Sequence, residues 1–297
     1  MSETIASFPR KRPAVIAHRG ASAYAPENTL ASFQKAIDMK ADYFELDVQL
    51  TRDGSLAVFH DREISRFSVK RTSVVDMSMI DMRKLDVGSW FGPEFADQRV
   101  ICLEEALELA DDKIGVYVEL KSAVDETPRI PDMLEVILEQ DALTALDWQY
   151  LYDAAYRIGA ESIIMARRAI DVIRPYADRV RIVAQAFSPI IALVFLREAP
   201  DIRFEFLGMD LEEPPNIWRD FVLFGEKTGV AGFNVNKESL DEARFKRFRD
   251  GGYSCAIWVV DEPEDMRRLA DLGVNALISN KPDVCLGTLE AWSSQNA

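Results

Sequence analysis

The chain predicts an α/β fold, an irregular TIM (β/α)8 barrel with a small inserted lobe. Three observations carry that reading. Short β-rich runs recur along all 297 residues, with helical patterns between them. Most of these runs are continuously apolar, as in strands buried on both faces of a parallel sheet. The alternation extends over roughly 250 residues, the size of such a barrel. No Gly-rich phosphate turn follows the first run, which argues against a doubly wound sheet.

Taken in order, the predicted strands are residues 14–18, 43–50, 56–60, 115–120, 181–187, 203–209, 230–235, 254–260 and 275–279. Helix starts stand between them. Pro26-Glu27-Asn28-Thr29 opens one, Ser188-Pro189 opens another over 190–197, and Asp261-Glu262-Pro263 a third that ends near Gly273. The runs 43–50 and 56–60 are too close for a parallel crossover, and Asp53-Gly54 is a hairpin turn. Read as a two-residue turn, it pairs Arg52 with Ser55 and brings Asp47 opposite His60. With the hairpin's return strand set aside, eight runs remain for the barrel. Residues 62–112, interrupted by Gly88, Gly92 and Pro93, read as a lobe inserted over the barrel mouth, and 122–180 as a long helical excursion. The whole of 1–297 reads as a single barrel domain.

Composition narrows the function. Fifty acidic against 35 basic residues leave a formal charge of −15, which argues against a nucleic-acid groove or an anionic membrane surface. A hydrophobic share of 48% supplies a sizeable core and excludes intrinsic disorder. Cys102, Cys255 and Cys285 are far apart and read as thiols of a reducing compartment, neither a disulfide frame nor a zinc site. The basic N-terminal stretch through Phe8-Pro9-Arg10-Lys11-Arg12 has no apolar run of signal length behind it, and the run 190–196 is too short to span a bilayer. A soluble, cytoplasmic protein without stable membrane insertion is expected.

The chain has two histidines, His18 and His60, and each ends a predicted strand, where barrel enzymes place their chemistry. An imidazole takes and gives protons near neutral pH. In Phe44-Glu45-Leu46-Asp47-Val48-Gln49-Leu50 the alternation sends Glu45, Asp47 and Gln49 to one face, into the barrel. Glu119 adds a third acid from another strand, with Lys121 facing the same way. Three carboxylates without a cysteine or histidine pair suit a hard divalent cation, Mg²⁺ or Ca²⁺. The competing arrangement pairs these acids with Arg19, Lys121 or Arg52, and in either case Arg19 and Lys121 are suited to a phosphate.

These residues, with their spacing, resemble the glycerophosphodiester phosphodiesterase family. The motifs are His18-Arg19-Gly20, Pro26-Glu27-Asn28-Thr29, Glu45-Leu46-Asp47-Val48, Thr51-Arg52-Asp53-Gly54 and His60-Asp61, followed by Leu103-Glu104-Glu105-Ala106-Leu107, Glu119-Leu120-Lys121, Trp258-Val259-Val260 and Gly273-Val274-Asn275. The resemblance implies a barrel with an inserted lobe, one divalent cation, and hydrolysis of glycerophosphodiesters to glycerol 3-phosphate and an alcohol. It implies His18 and His60 as acid–base pair, Glu45, Asp47 and Glu119 as metal ligands, Arg19, Glu27 and Lys121 facing substrate, and Phe187 and Trp258 as pocket wall. By analogy with related barrel phosphodiesterases, His18 is the base and His60 the acid.

The chain departs from the family pattern late. Gln185-Ala186-Phe187 replaces Ser-Phe, Trp258-Val259-Val260-Asp261 replaces Trp-Thr-Val-Asn, and Ser279-Asn280 replaces Thr-Asp. Two other readings remain open. One is a phospholipase D-like hydrolase of lysophospholipids or sphingolipids, with an apolar channel supplied by Trp90 and Phe91. The other is a non-catalytic barrel that binds glycerophosphodiesters. Asp111-Asp112 and Glu212-Glu213 read as solvated surface. Arg167-Arg168 with Arg174, Arg179 and Arg181 could dock a second copy in a homo-oligomer or an anionic substrate, but reads first as a solvated face.

Overall fold

The computed structural model describes residues 11–137, 143–211 and 216–296. The N-terminal stretch through Arg10 and the pair Glu212-Glu213 lie outside them. Strand β1 (Ala14–Ala17) is followed by α1 (Leu30–Asp38), β2 (Tyr43–Leu50), β3 (Leu56–Val58), a one-turn α2 (Met79–Met82), α3 (Leu103–Ala110) and β4 (Gly115–Leu120). Then come α4 (Ile130–Ile137), α5 (Ala145–Ile158), α6 (Ala160–Ile173), β5 (Ile182–Ala186), α7 (Pro189–Glu198), β6 (Arg203–Gly208) and α8 (Ile217–Thr228). The chain closes with β7 (Gly232–Asn236), α9 (Glu242–Asp250), β8 (Ser254–Trp258), α10 (Pro263–Leu272), β9 (Ala276–Ser279) and α11 (Pro282–Gln295).

Eight strands pair in parallel, and β1 bonds to both β9 and β2, so the sheet closes on itself. Among the strands of the described residues, β3 alone is antiparallel, on the outer edge of β2. The barrel expected from the sequence is present, with most strands shorter by one or two residues than the runs that predict them. Helix starts follow the sequence signals. Thr29 caps α1 with a reciprocal bond to Ser32, Ser188 caps α7, and Gly273 ends α10 in the left-handed conformation at φ 96°.

The hairpin register differs from the expected one by a residue. Val48 faces Val58 and Leu50 faces Leu56, and the Phe59 N–H donates to the Asp47 carbonyl. Asp47 therefore opposes Phe59, not His60. The turn is a three-residue loop: the Gly54 N–H bonds the Thr51 carbonyl, Gly54 takes φ +78°, and the Thr51 N–H bonds the Ser55 carbonyl. Asp53-Gly54 thus closes a turn begun at Thr51, with Gly in its left-handed last position, and one more residue enters the loop.

Two apolar layers follow from strand alternation. Phe44, Leu46, Val48, Val116, Val118 and Leu120 pack outward against the helices. Ala14, Ile16, Tyr43, Tyr117 and Val183 fill the barrel's inside. Between β3 and α3 the chain has its own small core of Phe59, Ile64, Val74, Met79, Met82, Val87 and Val100, while Leu103, Ala106 and Leu107 of α3 pack on the main core. Residues 122–137 and 143–180 are mainly helical. Arg167, Arg168, Arg174 and Arg179 each pair with an acid of the same chain, namely Glu198, Glu104, Asp201 and Asp111. No helix among the described residues is long and apolar enough to cross a membrane.

Candidate active site

The C-terminal ends of the strands converge on a pocket of about 240 Å³ that His18, Arg19, Glu45, His60, Glu119 and Lys121 line. Phe187, Trp258 and Gln185 complete its wall. The Phe187 and Trp258 rings meet edge to face at 5.9 Å. Strand register builds the acidic floor: Asp47 on β2 lies beside Glu119 on β4, which lies beside Gln185 on β5. Glu45, Asp47 and Glu119 each offer an oxygen, and all three oxygens lie within 4.8 Å of one another.

Two cations share these acids. The Arg19 guanidinium Nε lies 3.3 Å from Asp47, and the Lys121 ammonium sits 3.2 Å from Asp47 and 2.5 Å from Glu119. Burial alone would raise the Asp47 carboxyl, but Lys121 and Arg19 hold it well below the usual carboxylate range. Burial, with Asp47 and Glu119 close by, pushes Glu45 well above that range. With all three acids ionised, as binding of a cation would require, Arg19 and Lys121 leave the floor one negative charge. Glu45 Oε2 accepts the Arg19 N–H at 2.9 Å, while its buried Oε1 has no partner among the described residues. The donor set fits a hard divalent cation. Oxygens around Mg²⁺ or Ca²⁺, bound at about 2.1 to 2.6 Å, lie no more than about 4.2 to 5.2 Å apart, and a buried oxygen without a donor is the atom a cation would satisfy.

The histidines have different partners. His18 Nδ1 is 2.7 Å from Asn280 Oδ1. Burial and the Arg19 charge lower its imidazole to about 4. His60 Nδ1 is 2.9 Å from the Asp61 carboxylate, which Arg66 also holds at 3.1 Å. One imidazole faces a neutral amide and the other an anion.

Most of the site residues read from the sequence meet here. Glu27 stands back: its Oε1 is taken by Arg19 at 3.1 Å and Arg66 at 2.5 Å, and it does not line the pocket. Asn28 has a larger part than that of a helix-start signal. With φ +57°, it donates to Asp47 Oδ2 at 2.8 Å and accepts the Asp47 N–H at 3.2 Å. Asp61, the second residue of the His60-Asp61 motif, supports the site locally, while Gln49, Asp261 and Asn280 support it through partners distant in sequence. A second cavity of about 510 Å³ opens beside the first and shares His60, Lys121 and Phe187 with it. Its apolar lining comes from Leu120, Leu207, Met209, Leu211, Ile217 and Phe221. Trp90 and Phe91, expected to form such a channel, do not line it. Trp90 is half exposed on the lobe, its indole N–H bound to the Val87 carbonyl.

The profile of the glycerophosphoryl diester phosphodiesterase family matches residues 18–284, which include every one of these site residues. The chain belongs to this family. A glycerophosphodiester phosphodiesterase of Caldanaerobacter subterraneus subsp. tengcongensis is 30% identical over 276 residues, 92% of this chain and 96% of that protein. One of Bacillus subtilis is 29% identical over 277 residues, 91% of this chain and 84% of that protein. Among solved structures, an Oleispira antarctica phosphodiesterase in complex with its product sn-glycerol-3-phosphate superposes with a TM-score of 0.74 at 21% identity, covering 94% of this chain and 97% of that one. The family fold is thus the closed eight-stranded parallel barrel described above.

Proposed function

We propose that this member of the family hydrolyses glycerophosphodiesters to glycerol 3-phosphate and an alcohol, with His18 as base and His60 as acid. The observation that carries the reading is the convergence of Glu45, Glu119, Arg19, Lys121 and both histidines on one pocket at the barrel mouth, with Asp47 buried within 4.8 Å of the two acids. Glu45, Asp47 and Glu119 would hold the divalent cation, which when bound supplies a Lewis acid for a phosphoryl oxygen and the attacking hydroxyl. Arg19 and Lys121 face the same pocket and neutralise the phosphate as negative charge develops. His18, held neutral by its burial, accepts the proton of the nucleophile. His60, beside the Asp61 anion, delivers a proton to the leaving alcohol. Phe187 and Trp258 supply an apolar wall to the same pocket.

The test is release of glycerol 3-phosphate from a panel of glycerophosphodiesters in Mg²⁺ or Ca²⁺. Chelation should abolish turnover without unfolding the protein, and Asp47→Asn should weaken cation binding sharply, because a charged ligand becomes neutral. Full turnover after dialysis into excess chelator would overturn the metal role. Absence of glycerol 3-phosphate with every diester would overturn the function.

The apolar cavity favours a second reading, a phospholipase D-like action on lysophospholipids or sphingolipids. Its lining is suited to a hydrocarbon chain, and it opens directly beside His60 and Lys121. Faster turnover of a lysophospholipid than of glycerophosphocholine would support that reading, and the reverse order would remove it.

A further inference from the structure

We infer that Asp261 and Asn280 form a positioning pair that decides which nitrogen of His18 carries the proton. The inference rests on the reading of His18 as the base and adds to it two residues at which the chain departs from the family pattern. Asp261 follows β8 and Asn280 follows β9, so neighbouring strand ends bring them together.

The argument starts from Asp261, whose carboxylate can only accept. Asp261 Oδ1 accepts the Asn280 backbone N–H at 2.8 Å and the Ser279 hydroxyl at 2.9 Å. Asp261 Oδ2 lies 2.6 Å from the Asn280 side chain. An acceptor at that distance requires the amide NH₂ there, because a carbonyl oxygen would leave two acceptors in repulsive contact. The amide is therefore fixed, and its Oδ1 turns to the other side. There it accepts the Ser22 hydroxyl at 2.8 Å and faces His18 Nδ1 at 2.7 Å. Facing an oxygen, Nδ1 must hold the hydrogen. In the neutral ring this leaves Nε2 with its lone pair free to act as base.

The proton transfer then balances simply. The O–H bond of the attacking hydroxyl breaks as an Nε2–H bond forms, and Nδ1 keeps its hydrogen on Asn280. The resulting imidazolium is stabilised by the Asn280 carbonyl dipole, itself polarised by Asp261. A carboxylate at position 280 would also accept from Nδ1, but it would favour the charged imidazolium before substrate arrives. The neutral amide orients the ring without protonating it.

With only two histidines in the chain, nitrogen spectra of protein labelled with ¹⁵N-histidine read this directly. His60→Asn assigns the signals. Wild-type protein should have a protonated Nδ1 and an unprotonated, pyridine-type Nε2 on His18, and the opposite pattern would overturn the inference without any further variant. Asn280→Ala should lose the single tautomer and lower kcat about tenfold or more, since a positioned base contributes about 10²-fold or more, with KM changed by less than about twofold. The double exchange Asp261→Asn with Asn280→Asp, which avoids setting two carboxylates 2.6 Å apart, should keep the Nδ1 hydrogen but move the acid limb of kcat to higher pH. Unchanged kcat and tautomer in a folded Asn280→Ala protein would also overturn the inference. Failure of the underlying reading looks different: His18→Gln would then retain turnover, whatever the spectra of the wild type.

Discussion

The side chain of Gln49 brackets His60. Gln49 Nε2 donates to the carbonyl oxygens of both Phe59 and Asp61, each at 2.8 Å, so the residue between them is held at both of its peptide neighbours. Gln49 is the fourth inward residue of β2, after Tyr43, Glu45 and Asp47, in the alternation that builds the acidic floor. Gln49→Leu would keep the volume and leave two carbonyls without donors. It should destabilise the fold by about 1–3 kcal/mol and lower kcat more than a stability loss of that size explains, because His60 loses its anchor. Denaturant midpoints and steady-state kinetics on the same preparation check this. Wild-type kcat in the variant would show that the bracket does not position His60.

A second prediction concerns Gly20. Arg19 and Gly20 both take left-handed conformations, at φ 53° and 80°, turning the chain sharply after β1 so that the Arg19 N–H reaches Glu45. A Cβ on Gly20 would lie 2.4 Å from Ser32 Oγ and 2.6 Å from the Ser32 backbone carbon. The hydroxyl can rotate away but the α1 backbone cannot. Gly20→Ala should cost roughly 3 kcal/mol or more from strain and overlap together, read as a lowered denaturant midpoint. It should also displace Arg19 and depress turnover in whatever fraction remains folded. A variant as stable as the wild type would contradict the close approach.

The pH dependence of stability offers a third. The His18 imidazole is lowered to about 4 in the fold from 6.5, by burial first and by Arg19 second, against the opposing effects of Asn280, Asp47 and Glu27. Between pH 6.5 and 4 the unfolded chain therefore binds a proton that the native site refuses, and native stability falls as the pH is lowered through that window. Above pH 6.5 both states are neutral at this ring and the contribution is constant. Metal-free wild-type protein should lose stability more steeply over this range than His18→Gln, by about the slope of one proton. Parallel slopes from urea unfolding would show that His18 is not held neutral.

Much of this architecture was legible in local sequence, and the reason is physical. Strands of a parallel barrel are buried on both faces, so β4 and β5 announce themselves as mainly apolar runs in which Glu119 stands out, while the strict alternation of β2 sets Glu45 and Asp47 on its inward face. Capping at Thr29 and Ser188 is equally local, since the cap bonds residues three positions away. What the sequence concealed depends on distant partners or on turn geometry. Asn280 meets His18 across 262 positions, and nothing near either residue reports it. The register at Asp47 is not legible in the sequence, because Asp53-Gly54 serves either a two-residue or a three-residue loop, and choosing between them requires the Thr51 bonds. The apolar cavity arises from β6 and α8 meeting beside β4, not from the exposed aromatics of the lobe.

The last prediction concerns the nucleophile. Water is one candidate, but a glycerophosphodiester carries its own hydroxyl on the carbon next to the phosphorylated one. Attack by that group is favoured entropically, because a neighbour held in position acts at effective molarities on the order of 10⁵ M or more. His18 would take its proton through Nε2, His60 would protonate the departing alcohol, and the product of this step would be a cyclic 1,2-phosphate. Water would then open the ring, with His60, now lacking its proton, serving as base and His18 returning its proton to the glycerol oxygen. Both imidazoles work in both steps, so replacing either should cost at least about 10²-fold in kcat. A 2-deoxy analogue separates the routes, since it keeps the phosphodiester and the alcohol while lacking the internal hydroxyl. Under saturating cation it should be hydrolysed at least about 10²-fold more slowly than its parent, and the parent should release a trappable cyclic phosphate. Equal rates for the two substrates would assign the attack to water, with His18 then acting on the water instead of the glycerol hydroxyl.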